Sequence, residues 1–180
     1  MKTHIEEDMD IPDGIQVSID KDVTVKGPKG TVKRPLFYPG VEIKVAGKKV
    51  TLTCKKATKR EKKMLYTYMA HIANMFKGVQ TPWVYKLKVC TGHFPMTVNL
   101  AGNALLVKNF LGEKIPRKMI IKQGVTVKVD GKDITVESID KELAGAVASD
   151  MELLTAISKK DRRVFQDGIY MIEKAGKLIK

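Results

Sequence analysis

The chain repeats itself. Gly40–Leu52 (GVEIKVAGKKVTL) and Gly124–Val136 (GVTVKVDGKDITV) are identical at roughly half their positions, and most other positions exchange one apolar residue for another. Each copy alternates apolar and polar residues on both sides of a glycine-containing turn, Ala46-Gly47 in the first and Asp130-Gly131 in the second. That pattern predicts two hairpins, each with one buried face. A helix is expected after each. Thr58 and Glu61 have capping-box spacing, Leu65, Tyr68, Met69, Ile72 and Phe76 share one helical face, and Gly78 supplies a stop. In the second half Asp140 can cap a helix whose stripe is Leu143, Val147, Met151 and Leu154. Short strands are expected before each hairpin, near Ile15–Ile19, Val23–Lys26 and Val32–Leu36, and again near Met96–Leu100, Leu105–Phe110 and Lys118–Lys122. The segment joining the halves alternates Trp83, Tyr85, Leu87 and Val89 and reads as a strand, not a tether. The expectation is an α+β fold: a tandem duplication of a small domain with antiparallel sheets and one helix, residues 1–80 and 81–180.

Charge narrows the function. The 180 residues carry 33 Lys+Arg against 20 Asp+Glu, a formal net charge of +13. A compact chain with that excess repels itself and attracts polyanions. Nucleic acid offers the densest phosphate charge and outranks an anionic membrane or an acidic protein as partner. No apolar run approaches the roughly 20 residues needed to span a bilayer, so no membrane role is expected. Residues 1–13 are acidic (Glu6, Glu7, Asp8, Asp10, Asp13), unlike a secretory signal. They read as a disordered tail, and the chain as cytoplasmic. Cys54 and Cys90 form no CxxC pair and read as two buried thiols in a reducing compartment.

Enzyme motifs are missing. Gly27-Pro28-Lys29-Gly30-Thr31 is too short for a phosphate-cradling loop and reads as a turn between strands. The sequence contains no GxGxxG, HExxH or GxSxG. His4, His71 and His93 share no metal-ligand spacing, and none lies beside a serine or cysteine in a nucleophilic pattern. No catalytic residue, metal, cofactor or small-molecule substrate is expected.

The basic segments carry the binding expectation instead. Lys55, Lys56, Lys59, Arg60, Lys62 and Lys63 crowd the entry of the first helix, where cations oppose the macrodipole. A solvated face explains them as well as phosphate contact does. Lys159, Lys160, Arg162 and Arg163 lead into Val164–Tyr170, read as a short hairpin, and Lys174, Lys177 and Lys180 follow. Arginine grips phosphate in bidentate fashion, and Phe165 or Tyr170 could lie against a sugar or base. Lys114, Arg117 and Lys118 surround Pro116 in the loop after Gly112. Aromatic residues are only 6% of the chain, and no RNP sequence, KH clamp or zinc knuckle occurs. The expected mode is contact with the backbone and minor groove of folded RNA, not stacking on single-stranded bases.

Several segments together resemble a known family. They are His71–Val79 (HIANMFKGV), Tyr85–Val89 (YKLKV), His93–Met96 (HFPM), Asn109–Lys114 (NFLGEK) and Asp161–Tyr170 (DRRVFQDGIY). In order and over nearly the whole chain, these resemble universal large-subunit ribosomal protein six in its archaeal and eukaryotic form. The resemblance implies a structural constituent of the large ribosomal subunit, on large-subunit rRNA near the base of the factor-binding stalk and the sarcin–ricin loop. Neighbouring large-subunit proteins, and proximity to translational GTPases, are implied with it. It implies that the second domain is the main rRNA anchor, which points to Lys114, Arg117, Lys118, Lys159, Lys160, Arg162, Arg163, Lys174, Lys177 and Lys180. Cys90-Thr91-Gly92 departs from the family, whose members tend to carry an aromatic and a serine there. A free-standing RNA-binding regulator is the alternative with the same charge.

Overall fold

The computed structural model describes residues 3–92 and 94–179 and divides into two compact units, 1–82 and 83–180. The first unit starts with β1 (Thr3–Asp10), followed by β2 (Gln16–Ile19), β3 (Val23–Gly27) and β4 (Gly30–Arg34). A hairpin of β5 (Glu42–Ala46) and β6 (Lys49–Ala57) then leads into the helix α1 (Lys59–Gln80). Strands β2, β3 and β4 form one antiparallel sheet, and β1, β6 and β5, in that order, form another. The second unit has the same plan: β7 (Trp83–Cys90), β8 (Thr97–Ala101), β9 (Ala104–Lys108), β10 (Arg117–Ile120), the hairpin β11 (Val125–Asp130) and β12 (Asp133–Ser138), then α2 (Lys141–Leu154). It adds β13 (Gly168–Lys174) and the short β14 (Lys177–Leu178). Its larger sheet runs β11-β12-β7-β13-β14 and its smaller one β10-β9-β8.

This is an α+β fold built twice, and the repeated hairpin sits at the same place in each copy. Ile43 faces Leu52 across β5 and β6, as Val127 faces Val136 across β11 and β12. Period-two alternation puts Val50, Leu52 and Cys54 of β6, and Ile134 and Val136 of β12, into the cores. The helices supply the other wall: Leu65, Tyr68, Ile72, Phe76 and Val79 from α1, and Val147 and Met151 from α2. Each such side chain, fully buried, contributes about 1.5–3 kcal/mol.

Both helices begin as the sequence dictates. Thr58 and Glu61 close a reciprocal capping box on α1, and the Asp140 carboxylate accepts the Glu142 N–H at 2.9 Å on α2. Gly78 does not stop α1. The helix runs on to Gln80, Gly78 is buried within it, and the Thr81 N–H closes the last turn on the Lys77 carbonyl at 2.8 Å. Tertiary contact carries the extra turn, because Val79 is buried and its carbonyl accepts the Lys29 N–H at 3.0 Å. Pro82 then forces the preceding residue, Thr81, into extended backbone.

Gly27 shows how tightly that turn is seated. A Cβ there would lie 2.6 Å from Val79 Cγ2 and 2.8 Å from Val79 Cβ. Val79 is β-branched and fully buried, so it has no room to move aside. Gly27→Ala is expected to destabilise the first unit by about 1–3 kcal/mol. Urea unfolding monitors this, and an unchanged midpoint would mean that α1 can slide on β3.

Two further expectations are corrected. The acidic segment before Ile11 is not a disordered tail: Thr3–Asp10 is strand β1, paired antiparallel to β6 from Thr3↔Ala57 to Asp10↔Lys49. Ile5, Glu7 and Met9 turn inward, and the Tyr66 hydroxyl donates to the Glu7 carboxylate at 2.7 Å. Met1 and Lys2 lie outside the described residues. Val164–Tyr170 is not a hairpin either. Asp161 organises a turn, its carboxylate accepting the Arg163 N–H at 2.9 Å and its carbonyl the Phe165 N–H at 3.0 Å. The hairpin is β13–β14, further along. Cys54 is buried as expected, whereas Cys90 is only half-buried; both are free thiols.

Candidate nucleic-acid interface

The chain leaving α2 and the loop entering β10 are joined by one side chain, Arg117. Its guanidinium donates to both oxygens of the Glu113 carboxylate, at 2.8 and 2.6 Å. It also donates to the Leu154 carbonyl at 2.7 Å, at the C-terminus of α2, and lies 4.2 Å from the centre of the Phe110 ring. One planar fork thus serves a carboxylate, a helix end and an aromatic face, which an ammonium could not do. The consequence is proximity. The loop Glu113–Pro116 and the start of β10 are thereby tied to the end of α2, which leads into the Lys159–Arg163 segment, and Lys160 comes near enough to Glu113 to help hold its carboxyl in the charged form.

Lys114 and Lys118 project from the first of these segments and are exposed. Lys159, Lys160 and Arg162 project from the second and are exposed too. Lys160 lies over the Phe165 ring at 4.7 Å. Arg163 is exposed but shares its guanidinium with the Asp161 carboxylate, Nη2 to Oδ2 at 2.8 Å. Large apolar side chains neighbour these cations and are all at least two-thirds exposed: Ile115 and Val164 follow Lys114 and Arg163 in the chain, Ile120 shares a strand face with Lys118, and Leu153 lines a cleft with Arg162. Cations interleaved with apolar side chains suit a ribose-phosphate surface, where the charges meet phosphates and the side chains cover sugars.

Other expected residues lie elsewhere. Lys174 and Lys177 face each other across β13 and β14. Lys174 is six residues from Gly168, about 20 Å along the strand from the end beside Arg162. Lys180 and His93 lie outside the described residues. In the first unit, Lys55, Lys56, Lys59, Arg60, Lys62 and Lys63 are all exposed around the start of α1. The structural duty of Arg117 was invisible in the sequence, although the Glu113/Arg117 spacing was a signal for an ion pair.

The segment carrying Arg162 is anchored at its far end. Buried Asp167 accepts the Gly92 N–H at the end of β7, and the Ile169 N–H donates to Thr155 Oγ1 at 2.9 Å. Met171 N–H donates to the Glu152 carboxylate at 2.8 Å. These bonds fix both ends of the turn that presents the cations.

The clamp is expected to weaken in acid. The Arg117 hydrogen bond holds the Glu113 carboxyl below its ordinary range, opposed by partial burial. A depressed folded-state pKa stabilises the fold above the unfolded value of about 4.3, and that stabilisation is lost as pH falls through the folded pKa. Thermal melts from pH 6 to pH 2.5 should therefore show a steeper acid loss for the native chain than for Glu113→Gln. Parallel curves would remove Glu113 from the clamp.

Two copies of one α+β unit, with exposed cations on the second, place the chain in the class of basic scaffold proteins suited to a polyanionic partner. The comparisons agree. The family model described as "Ribosomal protein L6" matches residues 11–81 and 94–168. The chain is 42% identical over 176 residues to "Large ribosomal subunit protein uL6" of Methanococcus vannielii, covering 97% of each chain. It is 46% identical over 184 residues to the protein of that name in Nanoarchaeum equitans, covering 97% of this chain and 96% of the relative. The Methanospirillum hungatei protein is 41% identical over 172 residues. The chain belongs to the ribosomal protein L6 family, which is structural and not enzymatic. Among the described residues, no helix is long and apolar enough to cross a membrane.

Proposed function

We propose that this protein is a structural constituent of the large ribosomal subunit that holds large-subunit rRNA through the basic end of its second unit. The observation that carries this is the Arg117 clamp, which ties the loop bearing Lys114 to the end of α2, the element that leads into exposed Lys159, Lys160 and Arg162; Lys118 follows on β10. Lys174 and Lys177, paired across the β13–β14 hairpin, form a second, separate contact. Arg117 itself acts by positioning, since its donors are engaged within the protein. The charges bind backbone, and the shape of the folded RNA supplies specificity. The family resemblance supports a site near the base of the factor-binding stalk and the sarcin–ricin loop. Neighbouring ribosomal proteins and translational GTPases would then be close by, in the cytoplasm.

The test is a salt series. Full-length protein is titrated onto deproteinised large-subunit rRNA, and log K is plotted against log salt. A steep linear fall is expected, with the slope reduced by about one unit in Arg162→Ala and by about one to two units when Arg163→Ala is added. A slope unchanged in the double variant would take both arginines out of the interface.

A further inference from the structure

The two copies of the fold differ at one edge. In the second unit β7 lies between β12 and β13, so both its edges are paired. In the first unit β1 occupies the place of β7, and among the described residues its only strand partner is β6. The equivalence is fixed by register. Asp8 faces Thr51 on β6 and Lys86 faces Thr135 on β12, and these threonines occupy the same position in the repeat.

What covers β7 shows how such an edge is recognised. Strand β13 pairs with it antiparallel, and Glu173 faces Lys86 with an ion pair of 2.8 Å. Inward-facing Ile169 and Met171 of β13 pack against the core. On β1 the outward row reads Glu6, Asp8 and Asp10, where β7 has Val84, Lys86 and Lys88. The charge is reversed at the last two positions; Glu6 meets His4 at 3.7 Å and Asp10 meets Lys49 at 3.9 Å, both pairs exposed. Asp8 stands in the place of Lys86 and has no ion pair among the described residues. On the inner side, half-buried Ile5 and Met9 lie along the edge, with partly exposed Tyr66 of α1 bonded to Glu7.

From this we infer that the free edge of β1 receives an extended segment of another polypeptide, added as an antiparallel strand that alternates basic and apolar residues. An unpaired edge offers main-chain hydrogen bonds, and its side chains choose the partner. A basic residue opposite Asp8 would repeat the Lys86–Glu173 pair with the charges exchanged. A second copy of this chain does not fit, because two acidic rows would face each other. Nor does RNA, whose phosphates the same row repels. The inference rests on the fold and is independent of the RNA reading.

The experiment uses the full chain, without RNA, in 0.15 M salt as an on-the-order-of physiological condition. The probe is a labelled eight-residue peptide alternating lysine and valine. It is expected to bind, to slow amide exchange in Thr3–Asp10 at least about tenfold, and to lose at least about tenfold in affinity against Glu6→Lys/Asp8→Lys. Two peptides keep the test on the native protein: one alternating glutamate and valine, and the lysine peptide N-methylated at alternate residues. Neither should bind. Binding of either as well as the probe, absence of probe binding, or binding without protection of β1 would overturn the inference.

Discussion

Replacing Lys114, Lys118, Lys160 and Arg162 together by alanine should reduce affinity for large-subunit rRNA about a thousandfold near physiological salt. Each phosphate contact contributes about 0.9 to the salt slope, so four lost contacts lower it by about three to four units. Extrapolated to 1 M salt, variant and native chain should converge, because the lost term is counterion release. All four residues are exposed, so the fold should change by less than about 0.5 kcal/mol. Filter binding across a salt series measures both quantities. A loss that persists undiminished at high salt would show that the four residues act through shape or stability and not through phosphate contact.

Arg117→Ala should act on the fold first. The side chain is 28% exposed, and its removal abandons the bidentate Glu113 pair, the Leu154 carbonyl and the Phe110 stack at once. Loss of these together should cost about 2–4 kcal/mol, since a charged hydrogen bond contributes about 1.5–3 and a helix-end carbonyl loses its partner. In a unit of this size that lowers Tm by about 10 °C or more. Arg117→Lys keeps the charge but cannot span three acceptors, so it should restore less than half of the loss. Calorimetry resolves this. A Tm within about 2 °C of the native chain would mean that the two basic segments are held together by something other than this guanidinium.

The duplication, the hairpins and both helices were legible in the sequence because each rests on local pattern. A period of two defines Val125–Asp130 and a period of 3.6 with a cap defines Lys141–Leu154. Strand β1 was not legible, for two physical reasons. Its central inward position is Glu7, a polar residue satisfied by Tyr66 from a distant helix, so the apolar alternation is broken. The spacing is also unequal: Met9 pairs with Val50, but its counterpart Leu87 pairs with Ile134, six residues further along. The insertion hides the equivalence of β1 and β7. The hairpin in the C-terminal segment was misplaced because Val164 and Phe165 look strand-like, whereas Asp161 bends the backbone around itself. Of the candidate site, composition marked the cations but could not show that Arg117 turns inward. That depends on a carbonyl 37 positions away.

The structural role in the ribosome is tested most directly by sedimentation. A native lysate is run through a sucrose gradient, with and without a high-salt wash, and the fractions are probed for this chain. Stable co-migration with large subunits that survives the wash is the expected result. A signal confined to the top of the gradient would contradict a structural place in the subunit and would favour a free-standing RNA-binding protein with the same fold.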